Sequence, residues 1–283
     1  MFLDNDYLVQ PSSIFGIRGN WPSTVSRVLA KPVYQKNEKG LFQKIVDTPG
    51  KKGEQLVWVD ISSAKYISSR AIEEEIFSES SVWGEMSRAL LAIGIEKAEI
   101  GYFGSKRLKL PKYKDIDFIV YGQRAFNLLR NKIDLFKHLS NTHNFTLDHA
   151  KYQALKHGAF YSPSSNTLTK CLMNKWSSCM VAEKLCSTIR FVDPIDLTCD
   201  KLEMLFELED DEIEIEGIVT NDTKTSFMPR EFSLYSNGTT YDVLTAGWIF
   251  HQCVKLGQSV RATGILKNDQ LIIRNYSHGI RIV

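Results

Sequence analysis

The chain has 283 residues, 43% of them hydrophobic, 24% charged and 11% aromatic, the composition of a globular protein able to bury a substantial core in roughly one to three domains. Lysine and arginine total 35 against 33 acids, a net charge of +2, so bulk charge recruits no polyanion and affinity for nucleic acid must come from a local patch. No apolar run approaches the ~18 residues of a membrane span, and the opening MFLDNDYLVQ lacks the basic and apolar regions of a signal peptide; the expectation is a cytoplasmic protein with no membrane partner.

From Ser12 to Ile61 short β-rich runs alternate with turns. IFGIRG, VSRVLAKPVY and QLVWVDI read as strands, separated by NWPS and by KNEKG with DTPGKKGEQ, which predicts a small antiparallel unit. The polar AIEEEIFSES reads as helical. In VWGEMSRALLAIGI the apolar residues Met86, Leu90, Leu91 and Ile93 keep helical spacing, with Ser81 as N-cap. The strand AEIGYF follows, then FGSKRLKLPKYKDIDFIVYG, which ends in a second strand. After Gly122, apolar positions at Phe126, Leu128, Leu129, Ile133, Leu135 and Phe136 predict one helix over RAFNLLRNKIDLFKHL. A polar, mostly helical stretch runs to about Cys179, and TIRFV over 188–192 is a strand.

The last part of the chain holds five β-rich runs: EIEIEGIVTND, EFSLYS, YDVLTAGWI, SVRATGILK and QLIIRN. Gly217 and Gly264 fall mid-strand, where a bulge or coil lets a small barrel close, and NDQ in ILKNDQLII closes a hairpin. HQCVKLG separates the third and fourth runs, the layout of an OB-like β-barrel; a small β-sandwich is the alternative. The fold class is therefore α+β: a β-rich N-terminal region over 1–80, a mixed-sheet domain with helices over 81–203 and the barrel over 204–283. The five cysteines, Cys171, Cys179, Cys186, Cys199 and Cys253, are odd in number and show no C-x-x-C spacing, so free thiols and no structural metal are expected.

The chemistry concentrates in the stretch from Phe103 to Gly122. Asp115 and Asp117 are separated by one residue, so on a strand both carboxylates share a face with Cα atoms ~6.5 Å apart. Ile116 and Phe118 point the other way, so the strand buries one face and presents its acids on the other. Two such carboxylates repel unless a cation lies between them, and magnesium suits hard oxygen ligands shared with substrate phosphates. Gly104 allows a sharp turn and close approach of backbone to ligand; Ser105 offers a hydroxyl and an N–H, and a following helical turn aims further N–H groups at phosphate. A phosphate cradle facing a metal-binding strand is the arrangement that phosphoryl transfer needs.

The order Gly-Ser, nine residues, Asp-Ile-Asp within an apolar strand, preceded by an amphipathic helix, resembles the polymerase-β-like nucleotidyltransferase superfamily, with Phe103, Gly104, Ser105, Asp115, Ile116, Asp117 and Phe118 at matching positions. More narrowly, DIDFIVYG, a KW pair (Lys175, Trp176) before a later strand and the β-rich ends are similar to a group of predicted nucleotidyltransferases known mostly from archaea. The resemblance implies a nucleotidyltransferase-fold central domain and a two-metal transfer of a nucleoside monophosphate from an NTP to an acceptor, with a nucleic-acid end favoured. Asp115 and Asp117 would hold Mg2+ or Mn2+, and Gly104 and Ser105 the phosphates. It also implies a third carboxylate from a later strand. TIRFV has no acid in its interior, so Asp193 at its end is the candidate, with Glu183 and Asp148 elsewhere. The alternative is a catalytically degenerate module of the same fold that binds nucleotide or nucleic acid.

The basic run Lys106, Arg107, Lys109, Lys112 and Lys114 is either a solvated loop or a contact to triphosphate or a nucleic-acid backbone. Arg107, with its planar fork, is the first choice for a phosphate contact and Lys106 the next. In the barrel, Phe232, Tyr235, Tyr241, Trp248 and Phe250 are candidates for stacking a single-stranded nucleic acid, against which the acidic ELEDDEIEIE argues. His149 and His157 carry no spacing signature and read as structural.

Overall fold

The computed structural model describes residues 1–45, 56–70, 75–110, 116–158, 164–181, 185–205, 212–273 and 279–283. In chain order the elements are β1 (Tyr7–Val9), β2 (Ser13–Ile17), β3 (Arg27–Lys36), β4 (Phe42–Lys44), β5 (Val57–Asp60), β6 (Lys65–Ile67), α1 (Glu75–Ser78), α2 (Val82–Ala92), β7 (Ile100–Tyr102), α3 (Gly104–Arg107), β8 (Ile116–Tyr121), α4 (Gln123–Asn131), α5 (Ile133–Leu139), β9 (Thr142–Asn144), α6 (Leu147–Gly158), α7 (Ser165–Met173), β10 (Ser178–Val181), β11 (Leu185–Val192) and α8 (Cys199–Met204). The strands β12 (Glu212–Asn221), β13 (Arg230–Ser236), β14 (Thr239–Thr245), β15 (Ser259–Lys267), β16 (Gln270–Ile273) and β17 (Gly279–Ile282) complete an α+β chain. Among the described residues no helix is long and apolar enough to cross a membrane.

Contacts group the described chain into two compact units, one of Met1–Ile45, Leu56–Asn144 and Trp176–Leu197, the other of Phe145–Lys175 and Thr198–Val283. The sequence boundaries at 80/81 and 203/204 fall inside these units.

The first unit contains two sheets. One has the order β4-β3-β2-β1-β6, with β5 also on β3, all antiparallel. The other has the order β7-β8-β11-β10-β9, in which β8 and β11 run parallel and the remaining pairs antiparallel. On one face of this sheet Phe118 lies against Trp83 of α2, with ring centroids 5.0 Å apart, and Phe191 against Phe126 of α4 at 4.9 Å. The opposite face carries Ile119, Tyr121 and Val192, which form a core with Leu3, Tyr7, Ile14 and Phe103. The sequence expectation that β8 buries only one face is thus corrected: beyond Asp117 the acid-bearing face is covered by residues of the N-terminal sheet. Ser81 caps α2 as expected, its Oγ accepting from Gly84 N–H at 3.4 Å. The periodicity over 124–139 forms two helices rather than one, because Lys132 leaves helical geometry at φ −116° and ψ 23°.

The second unit is built on a closed five-stranded barrel. The order runs β12-β13-β14-β16-β15 and returns to β12, with β14 and β16 parallel and β17 added on β15. Because β12 pairs with both β13 and β15, the sheet has closed on itself and the sandwich alternative is excluded. A Cβ on Gly217 would lie 2.3 Å from the carbonyl oxygen of Tyr235, and one on Gly264 2.6 Å from that of Ile272, so both glycines sit where neighbouring backbone comes too close for a side chain. Ala150, Ala154, Leu168, Cys171 and Leu172 of α6 and α7 share one core with Phe232, Leu234, Val243, Phe250 and Val260, which explains why the helical stretch 145–175 groups with the barrel.

Candidate functional site

Phe103 continues β7 in extended conformation, and the chain turns at Gly104, whose φ is +78°. Antiparallel pairing of Tyr102 with Phe118 brings the turn beside Asp117, and Phe103 N–H donates to the Asp117 carbonyl at 3.2 Å. A Cβ at Gly104 would stand 2.9 Å from Asp117 Oδ2. The two halves of the motif, Gly-Ser and Asp-Ile-Asp, therefore meet at Gly104 and Asp117. Asp117 is half-buried; Asp115, with Lys112 and Lys114, lies outside the described residues.

Gly104 N–H donates to Tyr7 Oη at 2.6 Å. Tyr7 is buried; desolvation first, with the nearby acid Asp117 adding to it, pushes its phenol far above the ordinary tyrosine range, so it remains protonated. Two residues away, Asn5 Oδ1 accepts from Arg190 Nη1 at 2.6 Å. Asp4, also buried, accepts from Gly19 N–H at 3.0 Å and from Asn5 Nδ2 at 2.6 Å.

The parallel register of β8 and β11 sets Thr188 opposite Asp117 and Arg190 opposite Ile119, so Thr188 and Arg190 share the face of Asp117. The Arg190 guanidinium lies 4.6 Å above the Phe103 ring. Burial lowers its pKa most, Arg18 lowers it further, and Asp4 and Asp117 act in the opposite direction. Asp193 lies five residues past Thr188, about 16 Å along the strand from the level of Asp117 at ~3.3 Å per residue. Its carbonyl accepts from Asn20 at 2.7 Å and its Oδ1 from Ile195 N–H at 3.2 Å. The structure does not bring Asp193 to Asp117: the strand carries it past the site. Glu183 lies outside the described residues, and Asp148 belongs to the second unit.

The first cations of the basic run are engaged elsewhere. Lys106 Nζ pairs with Glu79 Oε2 at 3.1 Å and lies 4.9 Å over the Trp83 ring. Arg107 Nε donates to the Ser68 carbonyl at 2.7 Å, and its guanidinium lies 5.4 Å over Tyr102. Both side chains hold α3 against its surroundings. Ser105 takes part in the same turn through its carbonyl, which accepts from Leu110 N–H at 2.9 Å.

Sequence reasoning missed Tyr7, Asn5 and Arg190. The signal for Arg190 was its position as the lone charge in the apolar TIRFV, two residues from Thr188. In the barrel, Phe232 and Phe250 belong to the buried core, which removes them as stacking platforms, and Tyr241 packs against that core. Tyr235 is exposed and pairs across strands with exposed Ile218; the Trp248 side chain lies outside the description. Arg261 binds Glu216 at 2.6 Å and Glu214 at 3.4 Å on the outer face of β12. The His149 ring lies tilted against that of Phe145, centroids 4.8 Å apart, and burial lowers its pKa; the side chain of His157 is not described. No family model, no curated protein and no solved structure matches the chain.

Proposed function

We propose that the chain is a metal-dependent nucleotidyltransferase that moves a nucleoside monophosphate from an NTP to an acceptor, with a nucleic-acid end favoured. The observation that carries the reading is the meeting of Gly104 with the Asp117 carboxylate, 2.9 Å from where a Cβ would stand. The residues present suit a hard divalent cation: Asp117 offers carboxylate oxygens, and Gly104 sets no side chain against Oδ2. Asp117 and Asp115 would hold Mg2+ or Mn2+, which supplies Lewis-acid polarisation of phosphoryl oxygens when bound.

The chain's own residues do the rest. Gly104 permits the phosphate to approach backbone and carboxylate together. Tyr7 fixes the turn by accepting the Gly104 amide and, held protonated, keeps an O–H to donate. Ser105 adds a hydroxyl at the cradle. The preference for a nucleic-acid acceptor rests on the barrel, whose strand order with its parallel closing pair is that of OB-like barrels, an argument from fold analogy.

A second reading, a binding module of the same fold without transfer, is favoured by Thr188 and Arg190, which stand on β11 where an acid would complete the site. Labelled NTPs with magnesium or manganese and a panel of RNA and DNA ends separate the two. Transfer is expected from the wild type and lost in Asp115→Ala and Asp117→Ala, by about a hundredfold or more for ligands worth several kcal/mol. Transfer unchanged by both substitutions removes the first reading; binding of NTP without transfer by the wild type selects the second.

A further inference from the structure

We infer that Arg190 is the phosphate-binding cation of this site, a fork that grips the triphosphate of the nucleotide without help from metal. The inference rests on the nucleotide-site reading above but not on catalysis. Among the described residues the guanidinium makes a single hydrogen bond, from Nη1 to Asn5 Oδ1 at 2.6 Å, out of the five N–H groups that an arginine carries. The guanidinium carbon also lies 4.6 Å from the centroid of the ring of Phe103, the residue that immediately precedes Gly104. It projects from the face of β11 that Asp117 occupies on β8, largely desolvated but with part of the residue still reaching solvent. The remaining N–H groups are thus preorganised beside the Gly104–Asp117 cradle, where planar bidentate pairing with phosphate oxygens is the chemistry a guanidinium serves best.

The neighbouring cations support the assignment by contrast. Lys106 is held by Glu79, and Arg107 by the Ser68 carbonyl and the Tyr102 ring, so neither has the posture of Arg190. The groups around the guanidinium are Asp4 and Asp117 on the acidic side and Arg18 on the basic side, with Tyr7 adjacent. A polyphosphate arriving there meets a cation rather than a carboxylate on this face of β11. Its binding therefore persists in a chelator.

Inorganic tripolyphosphate is the probe, titrated by calorimetry into the full chain in EDTA. Saturable binding to the wild type is expected, with Arg190→Gln weakening it roughly ten- to a hundredfold, the loss of charge-assisted hydrogen bonds. Asp117→Asn is expected to bind at least as tightly as the wild type, since it removes a negative charge. Absence of wild-type binding in EDTA, or an Arg190→Gln variant that binds like the wild type, overturns the inference. Should Arg190→Gln fail to fold, the wild type itself gives the answer through phenylglyoxal labelling and peptide mass mapping. Protection of Arg190 by tripolyphosphate supports the assignment; labelling of Arg190 at the same rate with and without tripolyphosphate overturns it. Arg190-dependent binding by a protein that transfers no nucleotide leaves this inference standing while the catalytic reading falls.

Discussion

Replacing Gly104 by alanine tests the meeting of the two motif halves most directly. The backbone there has φ +78°, and a left-handed conformation costs an L-residue about 1–2 kcal/mol. The new Cβ would stand 2.9 Å from Asp117 Oδ2, closer than carbon and oxygen tolerate, so the short carboxylate must leave its rotamer for about 0.5–1.5 kcal/mol. Together these predict a loss of about 1.5–3.5 kcal/mol, which lowers the melting temperature by roughly 3–14 °C for a unit of this size. Gly40 provides the control: its φ is +71° and a Cβ there meets nothing within 4 Å, so Gly40→Ala carries the backbone cost alone. Tryptophan fluorescence follows the melt, since Trp21, Trp58, Trp83 and Trp176 lie in the same unit as both glycines. The excess of Gly104→Ala over Gly40→Ala, about 1 kcal/mol from the displaced carboxylate, is expected to vanish in the background of Asp117→Ala. A Gly104→Ala variant that melts no lower than Gly40→Ala would mean that the Asp117 carboxylate lies elsewhere.

Tyr7→Phe deprives the Gly104 amide of its partner at 2.6 Å and is expected to cost about 1–3 kcal/mol, seen as a lower urea midpoint at unchanged slope. Asp6 is fully buried and accepts from Leu3 N–H, Ser69 N–H and the Tyr66 hydroxyl, yet desolvation dominates and raises its pKa. The folded state therefore holds this proton more tightly than the unfolded chain. Stability relative to Asp6→Asn should fall as pH rises from the ordinary carboxylate range through the raised value, then level off; a difference that grows with pH would contradict it. In the barrel, Gly217→Ala and Gly264→Ala place a Cβ 2.3 and 2.6 Å from carbonyl oxygens of facing strands. Backbone cannot yield as a side-chain tip does, so each is expected to cost about 3 kcal/mol or more, measured by urea unfolding of the full chain.

What the sequence disclosed was what local pattern can carry. The helix at 82–92 and the barrel strands β12 to β15 announce themselves because each holds enough residues for a period of 3.6 or 2, whereas the four residues of β16 are marked by the turn that precedes them. Strands β1, β4, β6, β9, β10 and β17 escaped, since three or four residues such as Tyr7–Val9 or Gly279–Ile282 are too few to display a period. Within the site, Gly104 and Asp117 were legible because their spacing in the chain is also their meeting in space. Tyr7 reaches Gly104 across 97 positions and Asn5 reaches Arg190 across 185, and nothing in a single sequence encodes such pairings. The same applies to Asp193: its type and approximate place suited a third ligand, but the register of β11 against β8 puts Thr188 opposite Asp117 instead. Phe232 failed as a stacking candidate because barrel closure decides which face of β13 turns inward, and Phe250 because the chain leaves β14 at Thr245 and enters a short 3-10 turn, Trp248–Phe250, that packs into the core.

The interleaving of the two units has a consequence for how the chain is made. A ribosome that has emitted residue 144 has released β7, β8 and β9 but not β10 or β11, which arrive only after the helical excursion over 145–175. The pair α6 and α7, in turn, waits for barrel strands that begin at Glu212. Neither unit is a contiguous stretch that can fold as it emerges. A gene fragment cut at 203/204 separates α6 and α7 from the barrel whose core they complete, and leaves both pieces with unmatched apolar surface during synthesis.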